Sequence, residues 1–129
     1  MHPIVTKCKG FLHIYDPIFT RNLFVFAGMS KDKFLKTAKA GLSKDFDRPR
    51  GDGHFYAYEL TSGEHIGVVW SRDRNRFLRH EMLHASLWIL DEIGVSSINK
   101  DNEEVLTYHT DFLCQCVVTA NKKPAKGKP

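Results

Sequence analysis

Short apolar runs at four places along the chain have the length and composition of strands. The runs at 11–15 and 23–26 are rich in aromatic and β-branched residues, and polar turn residues separate them. The runs at 54–60 and 65–70 flank a Thr-Ser-Gly-Glu segment at 61–64. Two strand-like runs joined by so short a polar segment predict a β-hairpin.

Between and after these runs, the apolar spacing changes to that of helices. Residues 31–40 place apolar side chains on one helical face, and Ser30 has the residue type preferred as N-cap. A second helix is predicted over 76–93, with Asn75 as its cap and Gly94 ending it in the left-handed conformation. Apolar residues surround most of this second helix, which predicts that it is buried between other elements.

A last helix is predicted over 103–118, with Glu103 and Glu104 in its first turn, where the helix dipole favours acids. The predicted order is strand, strand, helix, hairpin, helix, helix. This order favours an α+β fold with a small, mostly antiparallel sheet packed on helices. The length of 129 residues fits one compact domain.

The positive charge of the chain is concentrated at one end. The formal net charge is +4, and Lys122, Lys123, Lys126 and Lys128 account for all of it. Residues 1–120 carry 15 basic and 15 acidic residues and form the predicted domain. Residues 121–129 are predicted to be a disordered basic tail, whose expected role is solubilising or a weak contact with nucleic-acid phosphates.

Composition also excludes several classes of protein. No apolar run approaches the roughly 20 residues that span a bilayer, and the N-terminus lacks a signal-peptide layout. The three cysteines, Cys8, Cys114 and Cys116, are too few for a disulfide framework. We therefore expect a protein of a reducing compartment, the cytoplasm, with no membrane partner.

The predicted helix over 76–93 contains the motif His80-Glu81-Met82-Leu83-His84, an H-E-x-x-H sequence. Residues four apart lie on one helical face, so His80 and His84 can bind one ion. Zinc takes such a pair together with a third protein ligand and leaves one position for water. Glu81 can then accept the proton of that water as a general base.

A third ligand is expected on the following helix. Glu103, Glu104 and His109 are the candidates there, and the residues alone do not choose among them. Glu92 lies on the same helix as the motif but eight residues beyond His84, about 12 Å along the axis, and is out of reach.

The stretch RHEMLHASLWILDEIGV…NKDNEEVLTYHTDFL resembles the Glu-zincin (gluzincin) type of metallopeptidase. More narrowly, it is similar to small HExxH proteins encoded by bacteriophages and prophages, in which E-x-x-small-Tyr follows on the next helix. The resemblance covers residues 79–113. It implies a minimal zincin-like domain with an active-site helix followed by a Glu-bearing helix. It implies Glu104 as the third zinc ligand and Tyr108 as a group that supports catalysis. It also implies hydrolysis of a peptide or protein substrate, in the host cytoplasm if the chain is phage-encoded.

The segment HEMLHA also resembles the SprT/Spartan type of DNA-associated protease. In that type the third ligand is a His in a later His-Gly element, and here His109 is followed by Thr110. A further alternative is a zinc-binding interaction module that recognises a host protein or nucleic acid without protease activity. The remaining strand histidines, His13, His54 and His65, are expected to be surface or hydrogen-bonded residues.

Overall fold

The computed structural model describes residues 4–16, 20–43, 45–95 and 97–122. Within these ranges the chain forms five strands and three helices. The strands are β1 (Ile4–Cys8), β2 (Phe11–Asp16), β3 (Arg21–Ala27), β4 (Gly53–Glu59) and β5 (His65–Ser71). The helices are α1 (Lys31–Gly41), α2 (Arg76–Glu92) and α3 (Glu103–Lys122).

The five strands form one mixed sheet in the order β1-β2-β3-β5-β4. The pairs β1–β2, β2–β3 and β4–β5 are antiparallel, whereas β3 and β5 are parallel, with Val25 opposite Val69. The α+β class agrees with the sequence prediction, but the expectation of a mostly antiparallel sheet is wrong because a parallel pair lies at the centre of the sheet.

The burial of β5 explains this arrangement. Ile66 to Ser71 are all buried, so β5 is covered on both faces, as central strands are. The predicted β4–β5 hairpin forms, but its second strand, not its first, joins β3. α1 and β4 together supply the long connection that a parallel pair needs. The apolar pattern identified the hairpin and could not tell which of its strands would lie inside.

Strand β1 was missed from the sequence. Val5, Thr6 and Lys7 are half-buried or exposed, and the strand is held mainly by its backbone pairing with β2 at the edge of the sheet. Such an edge strand has no strong apolar alternation to reveal it.

Helices cover both faces of the sheet. On one face α1 packs over a largely aromatic cluster that includes Phe26, Phe34 and Trp70. On the other face α2 and α3 pack over Ile14, Val25 and other side chains of β2, β3 and β5. α2 and α3 therefore lie side by side on this face, and α2 leaves one side exposed.

The ends of the helices confirm some predicted caps and correct one. Ser30 caps α1 by accepting a hydrogen bond from the backbone N–H of Lys33 at 3.2 Å. Asn75 makes no side-chain cap bond to α2. Asp73 does so instead, since its Oδ1 accepts from the backbone N–H groups of Phe77 and Leu78 at 3.2 and 3.3 Å.

α3 is longer than the sequence predicted and extends to Lys122. α3 runs antiparallel to α2. Ser86, in the second half of α2, contacts His109 in the first half of α3, whereas Arg79, early in α2, is close enough to Cys114 to influence its thiol electrostatically. The rest of the predicted basic tail, 123–129, lies outside the described residues. Among the described helices, none is long and apolar enough to cross a membrane.

Candidate metal centre

The two histidines of the H-E-x-x-H motif project together from the exposed side of α2. Their Nε2 atoms lie 3.3 Å apart, and their rings are nearly perpendicular, at 79°. Two ligand atoms at 2.0–2.1 Å from a tetrahedral ion are separated by about 3.3 Å. The His80–His84 pair therefore has the spacing of two zinc ligands, and both side chains are open to solvent.

Glu81 points to a different side of α2 from the two histidines and is buried, with 7% exposure. It lies against the start of β4, where a Cβ atom built on Gly53 would come within 3.0 Å of Glu81 Cγ and Oε2. Burial raises the pKa of Glu81, and the neighbouring His80 and His84 oppose that shift. A carboxylate with a raised pKa next to a histidine pair is suited to accept a proton.

An open pocket of about 310 Å³ joins these groups to the sheet. Gly53, His54 and Phe55 of β4 and Glu81 and His84 of α2 line it. In the sheet formed by the described residues, β4 is an outer strand. The pocket thus places the candidate proton acceptor and one candidate ligand beside the backbone of a free strand edge.

Glu104 and Tyr108, which the resemblance implies, lie on the exposed face of α3. They are four residues apart and share that face, and Tyr108 is 69% exposed. Glu103 lies on the stripe of α3 that also carries Leu106 and Thr110, both half-buried. Among the described residues, no group of three or more His, Cys, Asp or Glu side chains is arranged to hold a metal ion. The structure brings His80, Glu81 and His84 together, and it leaves Glu104 as a prediction.

His109, the other candidate ligand, is engaged on both ring nitrogens. Its Nδ1 lies 2.6 Å from Ser86 Oγ, and its Nε2 lies 3.1 Å from Asp16 Oδ2. In the neutral tautomer that suits a carboxylate partner, Nε2–H donates to Asp16, and Nδ1 accepts from the Ser86 hydroxyl. All three residues are buried, so this network joins β2, α2 and α3.

The order Asp–His–Ser in this network is that of a hydrolase triad, but the surroundings differ. Ser86 has 0% exposure and cannot meet a substrate. A nucleophile has to face a site that the reacting carbonyl can enter. The network therefore serves packing, and His109 has no ring nitrogen left for a metal.

Of the three strand histidines, His13 and His65 make ordinary side-chain contacts, and His54 is the exception. His13 stacks on Phe24, and His65 contacts the carboxylates of Glu59 and Glu92 at 3.2 and 3.1 Å. Glu92 therefore contacts the start of β5 and does not take part in the H-E-x-x-H site. The exception, His54, lines the pocket beside His84.

No sequence pattern indicated that β4 would form a wall of this pocket. Burial, the charge of Arg50 and that of His84 lower the pKa of His54, whose ring lies 4.4 Å from that of Tyr56. The sequence feature nearest to this site is the Gly53-His54 pair at the start of a predicted strand. It does not show which helix packs against that strand.

Cys114 and Cys116 are both buried, and neither forms a disulfide. Burial is the main cause that raises the pKa of Cys114 and that of Cys116, the latter to about 11. Neither thiol is therefore a thiolate ligand for the candidate centre.

Comparison of the chain with the models of known protein families, with curated proteins and with solved structures finds no match.

Proposed function

We propose that this protein is a zinc-dependent metallopeptidase, with His80 and His84 as metal ligands and Glu81 as general base. The observation that carries the proposal is the 3.3 Å separation of the two Nε2 atoms, next to a buried carboxylate in an open pocket. Helical spacing alone makes such a pair possible, and the side-chain geometry makes it fit a tetrahedral ion.

A bound zinc ion would supply a Lewis acid and a water molecule of lowered pKa. The chain's own part begins with Glu81, whose carboxylate takes the proton from the attacking water and then passes it to the leaving amine. Burial raises the pKa of Glu81, which makes its carboxylate a stronger proton acceptor than an exposed one. The absence of a side chain at Gly53 leaves room for this carboxylate beside β4.

The substrate would lie as an extended peptide along the outer edge of β4. Gly53, His54 and Phe55 belong to that strand and to the pocket, so a peptide paired with it would pass Glu81 and His84. Backbone hydrogen bonds of this kind bind peptides with little dependence on their sequence. The proposed substrate class is therefore an unfolded or flexible polypeptide segment.

Glu104 is proposed as the third ligand on the resemblance to gluzincins, with Tyr108 one turn further on as a supporting group. Glu103 is the competing carboxylate, and both side chains are exposed at the start of α3. Removing each carboxylate in turn distinguishes the two.

The decisive experiment compares Glu81→Gln with the unaltered protein. We expect Glu81→Gln to keep zinc, measured by metal analysis after dialysis, and to lose cleavage of a mixed peptide library, measured by mass spectrometry. Asp91→Asn is the matched control, because it neutralises an exposed carboxylate on the same helix. Equal cleavage by Glu81→Gln and the unaltered protein would overturn the mechanism.

A second candidate is a zinc-binding interaction module without protease activity. Exposed apolar side chains on one side of α3 favour it: Val105 at 46%, Tyr108 at 69% and Phe112 at 37% exposure. Residues spaced i, i+3 and i+7 form a continuous helical stripe of the kind that binds partners. Zinc binding by the unaltered protein without cleavage of any library peptide would favour this function.

A further inference from the structure

A second pocket, of about 240 Å³, lies where the β1–β2 turn, the end of β3, the start of α1 and the end of α3 meet. It shares no lining residue with the pocket beside Glu81. Three of its lining residues are cations, Lys7, Lys33 and Arg74, and the described lining contains no acid. We call it the cationic pocket.

The charge of the cationic pocket is a local feature. The acids next to Lys33 and Arg74 in the sequence have other partners: Asp32 pairs with Arg48, and the Asp73 carboxylate accepts from the Ser71 hydroxyl and the backbone of α2. Among the described residues, none of the three cations forms an ion pair with a carboxylate. Like charges around one cavity repel each other, and a bound anion would relieve that repulsion.

Arg74 is exposed, and its side chain passes over Gly28 at the wall of the pocket. A Cβ atom built on Gly28 would come within 2.7 Å of Arg74 Nε and 3.2 Å of its Cγ, so the arginine side chain lies across the Gly28 backbone. Gly28 also has a φ of +73°, which favours glycine at this position. A side chain at position 28 would clash with this arginine, so Gly28 leaves room for the Arg74 side chain at the pocket.

Lys33 stands in the first turn of α1, the positive end of that helix. Helix electrostatics disfavour a cation at this end and favour an anion. The placement of Lys33 thus adds to the positive potential that the other two cations create. The backbone N–H of Lys33 is bonded to Ser30, so Lys33 contributes through its side-chain charge.

The floor of the cationic pocket is apolar. Leu12, Val25 and Val117, which are buried core residues, line it together with the half-buried Phe11 and Met29. A ligand that fills the pocket therefore needs an apolar or planar body as well as a charged group. The lysine-rich segment 122–129 does not have this character and would be repelled by the three cations.

We propose that the cationic pocket binds a small phosphate monoester whose phosphate meets Lys7, Lys33 and Arg74 and whose apolar or planar body rests on the floor. A phosphate monoester carries a charge of about −1.5 to −2 at neutral pH, which matches three cations better than a single carboxylate does. Arginine adds a bidentate geometry that suits phosphate oxygens. This site is independent of the proposed peptidase centre.

The test uses the full chain and nuclear magnetic resonance titration with three probes: adenosine monophosphate, inorganic phosphate and neutral adenosine. We expect adenosine monophosphate to bind, inorganic phosphate to compete with it and adenosine alone to bind at least about tenfold more weakly. The largest amide shifts should fall on Gly10, Ala27 and Gly28, which line the pocket.

Two triple variants that remove the same amount of charge distinguish binding in the cationic pocket from general electrostatic attraction to the protein. The variant Lys7→Gln/Lys33→Gln/Arg74→Gln should weaken adenosine monophosphate binding about tenfold or more. The control Lys36→Gln/Lys39→Gln/Lys100→Gln alters exposed lysines that do not line the pocket and should change the affinity less than twofold. An equal loss in both variants, or no binding of any probe at millimolar concentration, would overturn the proposal.

A single-stranded oligonucleotide is the last probe in this experiment. If it binds more tightly than adenosine monophosphate, and if removal of residues 121–129 abolishes that binding, the cations serve a nucleic-acid surface and the small-ligand site is wrong. Glu81→Gln should leave binding of adenosine monophosphate unchanged, so failure of the peptidase proposal and failure of this one are separate results.

Discussion

Gly53 and Glu81 are in van der Waals contact across the junction of β4 and α2. A Cβ atom at position 53 would lie 3.0 Å from both Cγ and Oε2 of Glu81. The absence of a side chain at Gly53 therefore lets the proposed general base lie beside the outer strand. The strand edge that would bind substrate and the carboxylate that would accept the proton are thus fixed relative to each other.

This contact predicts the effect of Gly53→Ala. The added methyl group should displace the Glu81 carboxylate, and a shift of about 1 Å in a catalytic group can lower turnover by up to about 100-fold. Zinc content should stay unchanged, because the three atoms nearest to a Cβ at position 53 all belong to Glu81 and not to the proposed ligands. Peptide cleavage and metal analysis on the same sample measure both effects.

The control for this prediction is Gly63→Ala, at a turn where an added Cβ meets nothing within 4 Å. It should leave cleavage nearly unchanged, although its φ of +91° adds backbone strain. A loss of zinc in Gly53→Ala, or full activity, would contradict the inferred role of the contact.

A second prediction concerns the metal ligands. We expect about one zinc ion per chain, and we expect His84→Ala to weaken zinc binding beyond the 10–100-fold typical of losing an outer partner. Glu104→Gln should have a comparable effect and Glu103→Gln little effect. Competition with a chromophoric chelator measures each affinity.

The reverse result for the two glutamates would assign the ligand to Glu103. Zinc binding that survives both changes would show that neither carboxylate is a ligand. In either case the His80 and His84 variants report separately on the histidine pair, whose geometry does not depend on α3.

Asp73 should contribute to stability as the cap of α2. Replacing it with Ala is expected to lower the free energy of unfolding by about 1 kcal/mol at pH 7, the usual effect of losing an N-cap side chain. Asn75→Ala is the control and should change the free energy by less than about 0.5 kcal/mol, because Asn75 makes no cap bond. Urea unfolding followed by circular dichroism measures both.

The same cap predicts a pH dependence. Slight burial raises the pKa of Asp73, but hydrogen bonds from the Asn75 backbone, the Ser71 hydroxyl and further backbone N–H groups outweigh it and lower the pKa below 3.8. A carboxyl with a lowered folded-state pKa stabilises the protein above its unfolded-state pKa. The difference between the unaltered protein and Asp73→Ala should therefore be complete at pH 7 and shrink as the pH falls below about 3.8. A constant difference down to pH 2 would contradict this.

The buried network of Asp16, His109 and Ser86 should be strongly coupled. His109→Ala is expected to cost about 3 kcal/mol, because it leaves the buried Asp16 carboxylate without its histidine. The double variant Asp16→Asn/His109→Ala should cost less than the sum of the two single variants by at least about 1 kcal/mol. Thermal and urea unfolding measure the cycle.

His13→Ala serves as control for that cycle, since His13 is half-buried and stacks on Phe24 at the surface of the sheet. It should cost less than His109→Ala. Additive effects in the Asp16 and His109 cycle would show that the 3.1 Å contact contributes nothing to stability.

Much of the candidate centre follows from local helix geometry. The spacing of His80 and His84 places them one turn apart in any α-helix, so the sequence alone was enough to pair them. The cap at Ser30 and the end of α2 at Gly94, which has a φ of +99°, depend on a few adjacent residues in the same way. These features were predictable because their interactions span no more than five residues.

What the sequence left undecided involves residues far apart in the chain. The parallel pairing of β3 with β5 depends on which hairpin strand can be buried on both faces. The contact of Gly53 with Glu81 depends on how β4 lies against α2, and Asp16 meets His109 across 93 positions. Apolar spacing identifies the buried face of an element but not the partner that covers it, and only tertiary packing decides that.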